Sequence, residues 1–160
     1  MRFRHRLACV GAVLWSTLGG AAQAAPPALE LVPALGGPAV ELAAARRHRP
    51  AIVLFWRTDC APCLLELEHL PQLQRAAGAE RLLLVAMQPR EAVEAGLRRL
   101  GRAIPTWVSA EEPEKVVVRF GGAPARLPLA VALDRWGNIC RGRHGLIGSN
   151  TVKQWAKACD

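Results

Sequence analysis

The sequence predicts an α/β fold with a mixed central sheet and helices on both faces of that sheet. Near-continuous apolar runs at 51–56 and 81–87 are typical of strands that are covered on both faces. Helical apolar patterns separate these runs, which favours parallel strands. A turn at 134–138 then lies between two further strand-like runs, and this hairpin adds an antiparallel part to the sheet.

The first half of the chain alternates strands with helices. Pro50 ends the first helix, because proline removes a backbone donor. Leucines recur every three residues after Cys63 and predict the second helix, in which Pro71 should produce a kink. The expected elements are a short strand at 29–32, a helix at 40–48, a strand at 51–56, a helix from 64 to a stop at Gly78, and a strand at 81–87.

The second half continues this alternation and then forms the hairpin. Asp134–Asn138 is rich in turn-forming residues, and Gly121-Gly122 should end a short helix. Ser149 or Asn150 is expected as the N-cap of the last helix. The expected elements are a helix at 90–100, a strand at 105–109, a helix at 113–120, strands at 129–133 and 139–144, and a helix at 150–159.

Residues 1–24 have the layout of a secretory signal peptide. A short basic start precedes the apolar run Leu7–Leu18, and Ala22-Gln23-Ala24 is an A-x-A cleavage pattern. We expect cleavage before Ala25, one mature domain at 25–160, and a periplasmic or otherwise exported protein. The alternative is an uncleaved anchor, which alone would hold the protein on a membrane; the apolar run is shorter than the ~20 residues of a typical span.

Composition and charge narrow the function classes. Loss of three N-terminal arginines lowers the formal net charge from +8 to +5, and the remaining arginines are scattered along the chain. No aromatic-interleaved basic strip is present, so we expect no nucleic-acid partner. Four of the five cysteines follow the signal peptide, and an even number in an exported chain suggests disulfides or thiol chemistry.

The Cys60-Ala61-Pro62-Cys63 motif carries the predicted chemistry. It follows a strand and begins a helix, where the dipole and free backbone N–H groups favour a thiolate at Cys60. Cys60 is therefore the predicted nucleophile, and Cys63, one turn inside, the resolving thiol. Half of a metal site or a structural bridge are the alternatives, but no second CxxC or HxxxH exists, and we expect neither metal nor cofactor.

These residues resemble the thioredoxin superfamily and, more narrowly, the exported TlpA/ResA-like thiol–disulfide oxidoreductases. The resemblance implies a thioredoxin-like fold and an active protein disulfide oxidoreductase. It also implies that Pro128 is a cis-proline facing the motif, that Leu127 and Trp56 contact substrate, and that Glu66 assists Cys63 with its proton. It is carried by Phe55-Trp56, the CxxC, Glu66, Leu127-Pro128, the turn 134–138 and Gly145.

Two positions depart from the pattern of these relatives. Asp59 stands where most of them have tryptophan, and a carboxylate there opposes the Cys60 thiolate. This favours a reductant or isomerase over a strong oxidant. Pro71 lies eight residues after Cys63, whereas relatives often place the helix proline five after it. For Glu66, a solvent-facing position near the helix start is an equal alternative to the proton-transfer role.

Cys140 and Cys159 are candidates for a structural disulfide, since one lies on the last strand and the other near the end of the last helix. Two free thiols or a second redox relay are the alternatives. His48, His69 and His144 are isolated, and no role is predicted for them.

The sequence therefore predicts an envelope oxidoreductase that exchanges disulfides with exported partner proteins. By resemblance, its clients include apocytochromes awaiting haem (cytochrome c maturation), copper-site proteins or misbridged exported proteins, and a membrane thiol shuttle re-reduces it. The alternative is a non-catalytic binding or chaperone-like module, in which the thiolates hold copper(I).

Overall fold

The computed structural model describes residues 26–78, 81–101, 103–109 and 111–160, and the predicted signal peptide lies outside these ranges. Within them the chain forms strands and helices in near-alternation. The strands are β1 (Glu30–Pro33), β2 (Val40–Glu41), β3 (Ala51–Trp56), β4 (Leu82–Ala86), β5 (Trp107–Ser109), β6 (Leu129–Leu133) and β7 (Ile139–His144). The helices are α1 (Leu42–Ala45), α2 (Ala61–Glu68), α3 (Leu70–Ala77), α4 (Arg90–Leu100), α5 (Pro113–Gly121) and α6 (Ser149–Ala158).

The strands form one mixed sheet in the order β2-β1-β5-β4-β3-β6-β7. β3 runs parallel to β4, which runs parallel to β5, and every other pairing is antiparallel. The parallel part comes from the strands separated by α2, α3 and α4, and the antiparallel β6–β7 pair comes from the predicted hairpin. The predicted mixed sheet is confirmed.

β3 is buried along its whole length, as its apolar run predicts. Successive side chains of a strand point to opposite faces, so β3 contributes to two cores. Ile52, Leu54 and Trp56 pack with residues of α2, α3, α4 and α6, whereas Val53 and Phe55 pack with residues of α1 and α5. Helices therefore cover both faces of the sheet.

The first predicted helix, 40–48, is mostly wrong. Val40 and Glu41 pair with Leu31 and Glu30 as the short strand β2, and α1 is limited to Leu42–Ala45. The chain then turns, because Arg47 and His48 have φ values of 54° and 53°, which no right-handed helix contains.

Pro71 divides its helix instead of merely kinking it. α2 ends at Glu68, His69 stands between the helices, and Pro71 lies in the first turn of α3. A proline has no N–H to continue the helical ladder, but its missing donor is harmless in a first turn. After the break, α3 packs along α6.

The expected N-cap of the last helix is also wrong. α6 begins at Ser149, and Gly148, in an extended conformation, occupies the cap position. None of the helices in the described ranges has the length and apolar character needed to cross a membrane.

Candidate active site

The two motif cysteines lie where β3 gives way to α2. Cys60 is the N-cap of α2 and is half-buried, whereas Cys63 is completely buried. The residues form a disulfide with Cα atoms 5.2 Å apart, and the backbone N–H of Cys63 donates to Cys60 Sγ over 3.3 Å. In the reduced protein that N–H and the helix dipole would stabilise a Cys60 thiolate. The geometry separates an accessible sulfur from a shielded one.

Asp59 does not act on Cys60 as an isolated charge. The guanidinium of Arg57 binds its carboxylate through two hydrogen bonds of 2.8 Å each. This pairing lowers the pKa of Asp59, with the hydrogen bond as the main cause, and it raises the pKa of Arg57. Because both side chains are exposed, the pair contributes little to stability. It does place a neutral ion pair, instead of a bare carboxylate, beside the nucleophile.

Removing either charge of this pair should shift the pKa of the Cys60 thiol, and the direction of the shift depends on which charge remains. Asp59→Asn leaves an unpaired cation next to the sulfur and should lower that pKa. Arg57→Gln leaves an unpaired carboxylate and should raise it. Thiolate absorbance of the reduced protein, followed against pH, measures both shifts. Equal shifts in the same direction, or none, would contradict this view of the pair.

Glu66 is buried and points into the protein. It lies on α2 one turn after Cys63, and its side chain is 4% exposed. Oε1 accepts a hydrogen bond of 2.8 Å from the backbone N–H of Ile147. Burial raises the pKa of Glu66, and the hydrogen bond from Ile147 offsets this only in part. The solvent-facing alternative is therefore wrong.

The Leu127–Pro128 peptide bond is cis, and so is Ala123–Pro124. Leu127 and Cys60 both pack against the core cluster that contains Cys63. The N–H of Gly145 donates to the Pro128 carbonyl over 2.8 Å. The segment 145–147 therefore connects Pro128 with Glu66: its first residue donates to the Pro128 carbonyl, and its last donates to the Glu66 carboxylate.

A surface groove of about 500 Å³ opens beside Leu127. Arg57 from the β3–α2 turn and Leu127 line it, together with residues of α5 and the segment before Leu127. The groove therefore runs between the turn that precedes Cys60 and the predicted substrate-binding backbone.

Trp56 lies in the core. It is 1% exposed, and its indole N–H donates to Thr106 Oγ1 over 3.1 Å, while that hydroxyl donates to the carbonyl of Leu84. Trp56 therefore has almost no exposed surface with which to contact a substrate. The burial indicates support of the β3 end from beneath.

The turn before Cys60 is held by contacts that sequence reasoning missed. Gln88 is buried and its Oε1 accepts a 2.6 Å hydrogen bond from the N–H of Thr58. Gly96 of α4 lies so close that a Cβ there would meet the Thr58 side chain at 2.4 Å. A turn residue, a strand-end glutamine and a helix glycine carry no shared motif, so spacing alone could not associate them.

Cys140 and Cys159 form a second disulfide, with Cα atoms 6.1 Å apart. It joins β7 to the end of α6 across 19 positions of sequence. A bridge that closes such a loop contributes on the order of 3 kcal/mol in the chain-entropy model. Cys159 is buried, which fits the predicted structural role. Among the described residues, no group of three or more Cys, His, Asp or Glu is arranged to hold a metal ion.

The fold is thioredoxin-like, and the paired cysteines stand at the start of α2. No protein-family model matches the sequence, and no curated protein matches it. Solved structures do match. One is a thiol:disulfide interchange protein of the thioredoxin family from Chlorobium tepidum, with 20% identity and a TM-score of 0.62, and the match covers 88% of this chain and 99% of that one. Another is StoA from Bacillus subtilis, with 18% identity and a TM-score of 0.60, and the match covers 83% of this chain and 98% of that one. A third is an exposed lipoprotein thioredoxin from Streptococcus pneumoniae (17%, 0.60, 82% and 98%).

At these identities the likeness establishes the fold. The predicted thioredoxin-like fold is confirmed.

Proposed function

We propose that this chain is a thiol–disulfide oxidoreductase of the bacterial cell envelope that reduces or isomerises disulfides in exported proteins. The observation that carries the proposal is the asymmetric cysteine pair. Cys60 is half-exposed at the N-terminus of α2, and Cys63 is fully buried one turn behind it. That arrangement suits attack by one sulfur and resolution by the other.

The first step is attack by the Cys60 thiolate on a partner disulfide. A bond forms between Cys60 Sγ and one partner sulfur, the partner S–S bond breaks, and the second partner sulfur leaves as a thiolate that takes up a proton. The product is a mixed disulfide. The N–H of Cys63, which lies 3.3 Å from Cys60 Sγ, supports the attacking thiolate.

The second step releases the partner. Cys63 loses its proton and attacks Cys60, so the Cys60–Cys63 disulfide forms and the partner leaves with two thiols. Two electrons have passed from the dithiol to the partner. Because Cys63 is buried, its proton needs an acceptor close by, and Glu66 is a buried carboxyl one turn along the same helix.

Partner binding is assigned to the backbone of Leu127 and to the adjoining groove. An extended chain can pair with the free N–H and C=O of an exposed segment and then continue along a groove. The groove lined by Leu127 and by Arg57, three residues before Cys60, offers that path.

The charges around the motif support a reducing or isomerising role. Strong oxidants of this kind stabilise their reduced form, which requires a strongly favoured thiolate. Here the Arg57–Asp59 pair is neutral overall, so the helix terminus is the main source of stabilisation. We expect a membrane thiol shuttle to re-reduce the protein, and clients such as apocytochromes awaiting haem to consume its electrons.

An envelope location is supported by the signal-peptide layout of residues 1–24. It is supported as well by the likeness in fold to a protein described as an exposed lipoprotein thioredoxin.

The reduction potential of the Cys60/Cys63 couple tests the proposal. Equilibration with thiol buffers of known potential should give a value near or below about −250 mV for a reductant, or about −180 mV for an isomerase. A value near −120 mV would make the protein an oxidant and overturn the proposed direction. A couple that does not exchange with thiols, in a protein that is purified with copper bound, would favour the binding module instead.

A further inference from the structure

His144 makes two contacts that a neutral histidine cannot satisfy together. Its Nδ1 lies 2.9 Å from the carbonyl oxygen of Arg126, and its Nε2 lies 3.0 Å from the carbonyl oxygen of Gly121. Carbonyl oxygens only accept hydrogen bonds, and a neutral imidazole carries a single N–H. Both contacts are hydrogen bonds only when the ring is an imidazolium. The doubly protonated ring is the form that satisfies both contacts.

The end of α5 adds to this preference. Gly121 is the last residue of α5, a nine-residue helix, so its carbonyl lies at the negative end of the helix dipole. A cation at that end is stabilised. The ring also packs directly on the backbone, because a Cβ at Gly121 would lie 3.0 Å from His144 Cε1 and 2.7 Å from the methyl carbons of Leu129.

Most charged groups on the elements around His144 are basic, and Glu114 of α5 is the one acidic side chain on them. β6 and residues 145–148 contain no ionisable side chain, and Arg119 of α5 is bound to the carboxylate of Glu111. Basic neighbours oppose an imidazolium, whereas the two carbonyls and the helix end favour it. The ionisable groups on the elements that pack against His144 are Arg126 before Leu127, Arg141 and Arg143 on β7, and Glu114, Lys115 and Arg119 on α5.

Of the two carbonyls that His144 binds, Gly121 comes directly before the segment 122–127 and Arg126 lies within it. This segment leads to the cis peptide at Pro128. In the described part of the chain, no other side chain hydrogen-bonds to the backbone of this segment. Its residues up to Arg126 are exposed, so few packing contacts hold it otherwise. One side chain thus fixes the segment at its start and near its end.

We propose that His144 is a positioning residue that, as an imidazolium, holds segment 122–127 and Leu127 in place for partner binding, so that partners bind more weakly as it loses its proton. This inference rests on the proposed function, since it assigns partner binding to Leu127. Histidine changes its charge between pH 5 and 8. Once the ring is neutral, one ring nitrogen presents a lone pair to a carbonyl oxygen, and that hydrogen bond is lost. The segment is then held less firmly.

The kinetic test compares two substrates of the intact chain at about pH 5.5 and about pH 8. One is a synthetic peptide with an intramolecular disulfide, and the other is hydroxyethyl disulfide, which is too small to use the segment. The ratio of their kcat/KM values cancels the changing thiolate fraction. In wild type we expect this ratio to fall about tenfold with rising pH, as loss of a hydrogen bond to a charged group predicts.

Three variants make the test specific. His144→Phe removes both donors and should give the low ratio at both pH values, through KM for the peptide. His144→Arg keeps several N–H donors at every pH and should give a ratio that no longer depends on pH. His69→Gln is the control, because His69 is exposed and its Nδ1 contacts only the Gln72 side chain among the hydrogen bonds of the described residues. It should behave as wild type.

Nitrogen NMR of the His144 ring decides the point independently of catalysis. Both ring nitrogens should carry protons at about pH 5.5, and hydrogen exchange in 122–127 should be faster in His144→Phe than in wild type at one fixed pH. A neutral ring at that pH, unchanged exchange, or a peptide ratio that His144→Phe leaves intact would overturn the proposal. If the wild-type chain reduced neither disulfide, the proposed function would fall, and the NMR and exchange results would still decide the role of His144.

Discussion

Cys60→Ser should abolish disulfide reduction by this protein. We expect the rate of insulin reduction at neutral pH to fall about 10³-fold or more, to the rate without protein, because the serine hydroxyl is not ionised and cannot attack a disulfide. Turnover with a thiol as electron donor, followed by the turbidity of the released insulin chains, measures the loss.

Cys63→Ser separates attack from resolution. Its Cys60 can still attack, so a mixed disulfide should accumulate without turnover. Cys140→Ser combined with Cys159→Ser is the matched control, since that pair lies between β7 and α6 and should affect stability and not catalysis. Full activity of Cys60→Ser, or loss of activity in the control with its fold intact, would show that the wrong sulfurs have been assigned.

Glu66→Gln should slow release of the partner about 100-fold, the lower range for general acid–base catalysis. The amide keeps an oxygen that can accept from the N–H of Ile147, so the fold should persist, but it cannot take the proton of Cys63. The lifetime of the mixed disulfide after rapid mixing measures this step. An unchanged lifetime in Glu66→Gln would remove Glu66 from the mechanism.

The same variant should change how stability depends on pH. Burial raises the folded-state pKa of Glu66 above its unfolded value, so the protonated form favours the native state. The stabilising contribution is therefore complete below the unfolded pKa and is lost as pH rises through the folded pKa. Glu66→Gln has no such loss, and its free energy of unfolding in urea should gain on that of wild type as pH rises from about 4 to 8. The opposite trend would contradict the raised pKa.

The sheet and the redox motif could be predicted because their signals are local. The apolar run 51–56 has no polar alternation, so it requires cover on both faces, and the cysteines follow it at a helix start. An interruption of the helix at Pro71 is predictable for the same reason, because a proline acts on its own turn of helix. Local patterns fail at 40–48, where pairing of Val40 with Leu31 prevails over helical propensity.

The finer parts of the site depend on contacts between distant positions. Glu66 is buried and accepts a hydrogen bond from Ile147, which lies 81 residues away in a loop. The sequence could not choose between that position and a solvent-facing carboxylate. Asp59 was expected to act alone, but it is paired with Arg57, two residues before it. His144 looked isolated because its partners are backbone carbonyls, which no residue pattern reveals.

Capture of partners by the Cys63→Ser variant, produced in a bacterium with its own N-terminal segment, tests the central claim most directly. Mass spectrometry of the non-reduced complexes should find exported proteins joined by a disulfide to Cys60. Complexes that are absent in Cys63→Ser, or that form through Cys140 or Cys159 instead, would contradict the claim that Cys60 exchanges disulfides with other proteins.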